Sequence, residues 1–256
     1  MSLFFEYIDI LHLLLPLALV VGFLVGATGV GGGAVLTPAL IGLLGLPAVT
    51  VIATDLVFAS VIKGAVNIRR AQRRLVDWSL AKGIWLGAIP AVVVTAYLVS
   101  SLKVDYFVET LLLLVGMAVT LSGFSMFREL KGRFTGRTSA TRFGGVLGAL
   151  VGATSVGAGA LGMVVLRRLT APGTTPAKLV ATDLAVALPI AIAGGLVHLM
   201  AGSFDLELFL LLVVPGLPGA FLGARFSRHV SAGVLRRILG VVLVIAGAGL
   251  FAKVFL

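Results

Sequence analysis

Six stretches of the chain are apolar almost without interruption: about Val49 to Ile68, Ser79 to Val99, Tyr106 to Phe127, Ala177 to Leu199, Leu206 to Phe226 and Leu235 to Phe255. Each approaches the roughly 20 residues that a bilayer requires of a crossing helix, so the pattern predicts six spans. Two further apolar segments, residues 11–43 and 142–168, read differently because a glycine cluster cuts each of them. The first cluster is Gly26-Ala27-Thr28-Gly29-Val30-Gly31-Gly32-Gly33-Ala34; the second is Gly152-Ala153-Thr154-Ser155-Val156-Gly157-Ala158-Gly159-Ala160. Inside a bilayer, broken helices survive only where the freed backbone faces protein or a watery cavity. The two breaks are therefore expected to meet in the interior.

The halves resemble each other. Ala53-Thr54-Asp55-Leu56 and Ala181-Thr182-Asp183-Leu184 match at an offset of 128 (181 − 53), which Val76-Asp77 and Phe204-Asp205, Pro90 and Pro218, and Phe127 and Phe255 keep. The glycine clusters match at 126 (152 − 26). Such internal similarity in an apolar chain predicts two structural repeats, an arrangement of secondary transporters whose sites lie at the repeat interface. The boundaries are 1–130 for the first repeat, 131–141 for a basic cytoplasmic linker and 142–256 for the second repeat.

Composition narrows the class. With 59% hydrophobic and 12% charged residues and a mean hydropathy of +1.17, the chain has more apolar surface than a soluble globule of 256 residues could bury. Glu6 and Asp9, rather than a basic segment, precede the first apolar run, so that run is expected to remain as structure. There is no cysteine, and the three histidines, His12, His198 and His229, are far apart. Disulfides, thiolate chemistry, a clustered metal site and a Ser/His/Asp set are thereby excluded, and neither an enzyme nor a cofactor is expected. The net charge of +10 does not point to nucleic acid, because Arg and Lys fall mostly in short loops between spans, the signature of topology control at an anionic leaflet.

That charge pattern also sets the topology. Basic clusters lie at Arg69, Arg70, Arg73 and Arg74, at 128–142, at Arg167, Arg168 and Lys178, and at 225–237; the N-terminus and residues 44–50, 100–105 and 201–205 lack the bias. If each broken segment crossed once, basic loops would fall on both sides. If each is a hairpin entering and leaving on one side, every basic cluster is cytoplasmic. Each repeat then has three crossings, an odd number, and the copies are inverted. The expected fold is an all-α integral membrane protein of two inverted-topology repeats, each a broken helix pair followed by three transmembrane helices.

At each break a short second helix begins, and the N–H groups of its first turn have no intrahelical partner. Helix N-termini carry partial positive charge and bind anions, and glycine lets a ligand approach the backbone. Thr28, Gly29, Val30, Gly31, Gly32 and Gly33 of the first break, with Thr154, Ser155, Val156 and Gly157 of the second, are the candidate anion-binding residues. Close helix packing through small residues is the alternative use of such glycines. Lys63, in mid-span, would cost on the order of 3 kcal/mol unpaired; an anionic substrate is one partner, and snorkelling towards the arginines is the other outlet. Asp55, eight residues away on the same helix, is about 12 Å distant, too far for a direct bond. Asp55 and Asp183 are either structural acceptors for groups at the opposite break or carriers of a coupling proton. The structural role is favoured, because an anion site gains nothing from a bare carboxylate. His198, close to the outer surface, is a candidate for titration near neutrality; Asn67 and Arg70, at the inner mouth, are accessory candidates or topology signals. The stripe Gly216, Gly219 and Gly223 invites close helix contact, and a homodimer is among the possible partners.

At these residues the sequence resembles the TauE/SafE family of sulfite and organosulfonate exporters. The likeness rests on Gly29-Val30-Gly31-Gly32-Gly33 with Pro38, the run Ala53-Thr54-Asp55-Leu56-Val57-Phe58-Ala59-Ser60-Val61-Ile62-Lys63, and Leu75-Val76-Asp77-Trp78. In the second half it rests on Ala181-Thr182-Asp183-Leu184, Ala187-Leu188-Pro189, Gly195-Leu196-Val197-His198 and Gly202-Ser203-Phe204-Asp205. The resemblance implies export of small sulfur-containing or carboxylated anions, such as sulfite or sulfoacetate, across the inner (plasma) membrane. No Walker sequence accompanies it, so the expected mode is secondary transport by alternating access. An anion channel and a Na⁺- or H⁺-coupled importer are the competing readings.

Overall fold

Two aspartates show how the sequence starts its helices. Asp77 Oδ1 accepts from the Leu80 N–H at 3.1 Å, and Asp205 Oδ1 accepts from the Leu208 N–H at 2.9 Å, so each satisfies an orphan donor of the helix that follows. The computed structural model describes residues 7–29, 32–69, 75–101, 105–127, 137–156, 159–171, 173–226 and 232–255. Among them every regular element is helical. A short 3₁₀ turn leads into α1 (Leu11–Thr28), followed by α2 (Gly33–Gly42), α3 (Ala48–Arg69), α4 (Trp78–Ser101) and α5 (Asp105–Phe127). The second half holds α6 (Arg137–Thr154), α7 (Ala160–Leu169), α8 (Pro176–Met200), α9 (Leu206–Phe226) and α10 (Ala232–Phe255). The six uninterrupted stretches are α3, α4, α5, α8, α9 and α10, with ends within three residues of those expected. α6 starts at Arg137, so the last residues of the expected linker are already helical.

Among the described residues five helices are long and apolar enough to cross a membrane, and they include α1 with its preceding turn, Ile8–Thr28. Length alone would let α1 cross unaided, yet its ends do not place it as a simple crossing. Tyr7, just ahead of α1, donates from its hydroxyl to Asp205 Oδ2 at 2.7 Å, and the Asp205 N–H donates to Thr54 Oγ1 near the start of α3 at 3.3 Å. Since α2 joins α3 through residues 43–47, the beginning of α1 and the end of α2 lie at the same end of the molecule.

A matching bond occurs at the other end. The Asp77 N–H donates to Thr182 Oγ1, near the start of α8, at 3.0 Å. Asp77 follows α3 and Asp205 follows α8, so the start of each of these helices lies beside the finish of the other, and the two pack antiparallel. They are also the most buried of the five, with 61% and 56% of an 18-residue apolar stretch inside against 39%, 33% and 39% for α1, α4 and α9.

Around this pair, the halves exchange partners. α1 packs along α9 and α6 along α4, while α5 packs on α10. Glycine sets the closeness: a Cβ at Gly22 or Gly26 would strike the backbone of Gly216 or Ala220, and a Cβ at Gly148 or Gly144 would strike that of Ala88 or Ile84. Gly219 and Gly223 likewise meet the backbone of Leu19 and Phe23. The close helix contact expected of this stripe is made with α1 of the same chain.

Candidate functional site

The two breaks differ in how they turn. α1 ends at Gly29, whose φ of 72° is the left-handed conformation that glycine adopts without penalty, with its N–H donating to the Val25 carbonyl at 2.9 Å. α6 ends at Ser155, whose N–H donates to the Val151 carbonyl at 2.8 Å and whose φ is 59°, although a serine pays for that conformation. Its side chain accounts for the choice. Ser155 Oγ donates to Asp55 Oδ2, and Thr37 Oγ1 of α2 donates to the same oxygen at 2.9 Å. Asp55 and Thr37 are both fully buried. Hydrogen bonds to a charged group contribute about 1.5–3 kcal/mol each, enough to offset the strain. Ser155→Ala should therefore melt below Ser155→Gly by about 1 kcal/mol, because alanine loses the hydroxyl and keeps the strained turn. Equal melting temperatures would show that the backbone there is not strained.

The breaks meet. Gly33, which opens α2, leaves no room for a side chain: a Cβ there would fall against Asp55 Oδ2, the Ser155 carbonyl and, at 2.7 Å, Ser155 Oγ. The carboxylate beside the start of α2 is thus the protein's own Asp55, in the place where a helix N-terminus favours negative charge. Gly29 lies against Val180 of α8, 3.1 Å from its Cγ1 by the same measure, and Gly32 packs on Val21, Val25 and Phe58. The Thr28 hydroxyl donates to the Leu24 carbonyl at 2.6 Å, and Thr154 Oγ1 donates to the Leu150 carbonyl at 2.6 Å while accepting from the Val156 N–H at 3.1 Å. In this conformation both threonines turn their hydroxyl protons back onto their own helices, and Ser155 gives its proton to Asp55. Val30, Gly31, Gly157 and Arg70 lie outside the described residues, and Asn67 sits in the last turns of α3.

Asp183, the counterpart of Asp55, is equally buried, at 1% exposure, but neither of its carboxylate oxygens has a hydrogen-bond partner among the described residues. Sequence explains the asymmetry. At the offset of the breaks, Thr37 and Ser155 correspond to Met163 and Gly29, and neither carries a hydroxyl. What faces Asp183 instead is Lys63, 1% exposed, which acts electrostatically on Asp183 most strongly and on Asp55 next. The antiparallel packing places them so: Lys63 is nine residues, about 13 Å, along α3 from Thr54 towards the end where Thr182 sits. Snorkelling does not describe this lysine. Among the described residues Asp55 and Lys63 of α3 and Asp183 of α8 are fully buried charged groups at the contact of these two helices, and Glu207 of α9 is a further buried carboxylate.

A sequence model of the family described as Sulfite exporter TauE/SafE matches residues 14–250. The chain belongs to the TauE/SafE family. That membership makes it a membrane transporter. Among curated relatives, the "Probable membrane transporter protein YjnA" of Bacillus subtilis (strain 168) is 29% identical over 249 residues, covering 90% of this chain and 96% of that protein. No solved structure matches it.

Within this TauE/SafE chain, His198 departs from expectation. Rather than standing at an open surface, it is fully buried; Nδ1 hydrogen-bonds Ser100 Oγ of α4 at 2.7 Å, and the ring meets the backbone of Gly152 in α6. The close α4–α6 packing covers it, and its contacts are those of a residue that locks helices together. Sequence reading passed over Thr37, Thr54, Thr182 and Tyr7. The signal for Thr37 was available: it is the one hydroxyl in Gly33-Ala34-Val35-Leu36-Thr37-Pro38-Ala39-Leu40-Ile41-Gly42. A lone hydroxyl in a wholly buried helix needs an acceptor.

Proposed function

We propose that this protein is a secondary transporter exporting small sulfur-containing anions, sulfite or organosulfonates, across the plasma membrane by alternating access. The observation that carries the reading is the junction of Gly33 with Ser155 and Asp55 beside a buried Lys63, at the antiparallel α3–α8 contact. The anion's place is on the Lys63 side of that junction. There Gly29 and Met163 stand where the other half has hydroxyls for Asp55. The substrate class follows the family's description as sulfite exporters. Purified protein in liposomes should take up sulfite or sulfoacetate with saturation and mutual competition. Flux rising without saturation would favour a channel, and indifference to both anions would reject the substrate class.

The reading includes inverted repeats, supported by the reciprocal Thr54–Asp205 and Thr182–Asp77 bonds and by the exchanged packing of α1 and α6. Because the chain has no cysteine, single substitutions can be labelled without background. Leu43 and Ala171, 128 positions apart (171 − 43), are both exposed at helix ends. Leu43→Cys and Ala171→Cys should react with a membrane-impermeant thiol reagent from opposite sides; labelling from one side would refute the inversion.

A further inference from the structure

Asp55 and Asp183 correspond in sequence but not in circumstance. Asp55 accepts from Thr37 and Ser155 through Oδ2, while its Oδ1 has no hydrogen-bond partner among the described residues. Asp183 has no such donors among the described residues, and Lys63 is the charge that acts on it. Charges on the other elements packed against α8 are Lys82 and the capping Asp77 of α4, Arg137 and Arg142 of α6, and Arg167 and Arg168 of α7; on α8 itself are Lys178, which pairs with Asp77 at 3.6 Å, and the remote His198. Among the described residues the charge that acts on Asp183 comes from α3: Lys63, on which Asp55 acts in turn. The lysine has no counterpart in the second half, where its position is Ala191. One ammonium group therefore serves both a carboxylate of the protein and, on the function proposed above, the transported anion.

We propose that Lys63 exchanges partners during transport, leaving Asp183 for the anion, and that Asp183 then takes a proton and carries it across with the substrate. In the empty carrier the pair is ammonium and carboxylate. When a monovalent anion binds Lys63, the abandoned buried carboxylate has neither donor nor counter-ion among the described residues, and a proton from the water on the loading side neutralises it at an Asp183 oxygen. The buried charge is then the same empty and loaded. One proton accompanies each monovalent anion, and the cycle moves no net charge. This departs from a structural role for both acids: Asp55 is structural and Asp183 is the proton carrier.

The inference rests on the anion-carrier reading, and one experiment separates the two. Wild-type protein is placed in liposomes containing a trapped pH dye, and an inward gradient of isethionate, a monovalent sulfonate that carries no proton itself, is imposed. Lumenal acidification should match isethionate entry one to one, and a potassium–valinomycin potential should leave accumulation unchanged. Asp183→Asn should carry isethionate without protons and respond to the potential, with accumulation approaching tenfold for about 59 mV. Asp55→Asn should keep the proton coupling in whatever transport it retains. Wild-type entry of isethionate without protons overturns the proposal while leaving the carrier reading intact, even if Asp183→Asn does not fold. Proton coupling that persists in Asp183→Asn overturns it as well. No isethionate flux in the wild type overturns both.

Discussion

Lys63→Met should abolish anion transport and lower stability by about 3–5 kcal/mol, the cost of breaking a buried charge pair by deleting one member. Lys63 is enclosed, and methionine fills a similar volume without the charge, leaving Asp183 with neither counter-ion nor hydroxyl donor among the described residues. The decisive comparison is the double variant Lys63→Met/Asp183→Asn. Removing the stranded carboxylate should return most of the lost stability while transport stays absent, because the anion has lost its cation. Thermal unfolding in detergent reads the first effect, and vesicle uptake reads the second. A single variant that melts within about a degree of the wild type would show that the lysine is not paired inside the protein.

Gly33→Val should drive the two breaks apart. Its side chain would enter space held by Asp55 Oδ2 and by the backbone and hydroxyl of Ser155, none of which can swing away cheaply. Overpacking of this kind costs about 1–3 kcal/mol, and more where backbone is the obstacle. Transport should fall at least tenfold. Gly42→Val is the matched control in the same helix: its nearest neighbour is Leu250 Cδ2 at 3.5 Å, an ordinary contact, so helix propensity changes equally without the collision. Similar losses from both substitutions would trace the effect to α2 itself and remove the junction from the argument.

The six uninterrupted helices were legible because each is a long apolar run, four of them among the candidate spans, and the breaks because glycine clusters interrupt two others. The closeness of the breaks was legible too, from the rule that freed backbone inside lipid must face protein. Which helix packs on which was not. Helices apolar nearly all round have no polar face to orient them, so the pairing of α1 with α9 emerges only in three dimensions. The likeness of Asp55 and Asp183 also misled by its symmetry. Both lie in Ala-Thr-Asp-Leu, and the residues that divide their roles, Thr37, Ser155 and Lys63, come from three other places along the chain. No local spacing records that convergence.

Because Gly22 and Gly26 rest on Gly216 and Ala220, the opening helix has its closest neighbour nearly two hundred residues downstream. A ribosome that has completed α5 has therefore made a segment whose glycine-lined flank still faces lipid. That flank is covered only when the penultimate helix has entered the bilayer. The inner pair α4 and α6 can therefore close before α1 is seated, and a product truncated before α9 lacks the surface that would seat its own beginning.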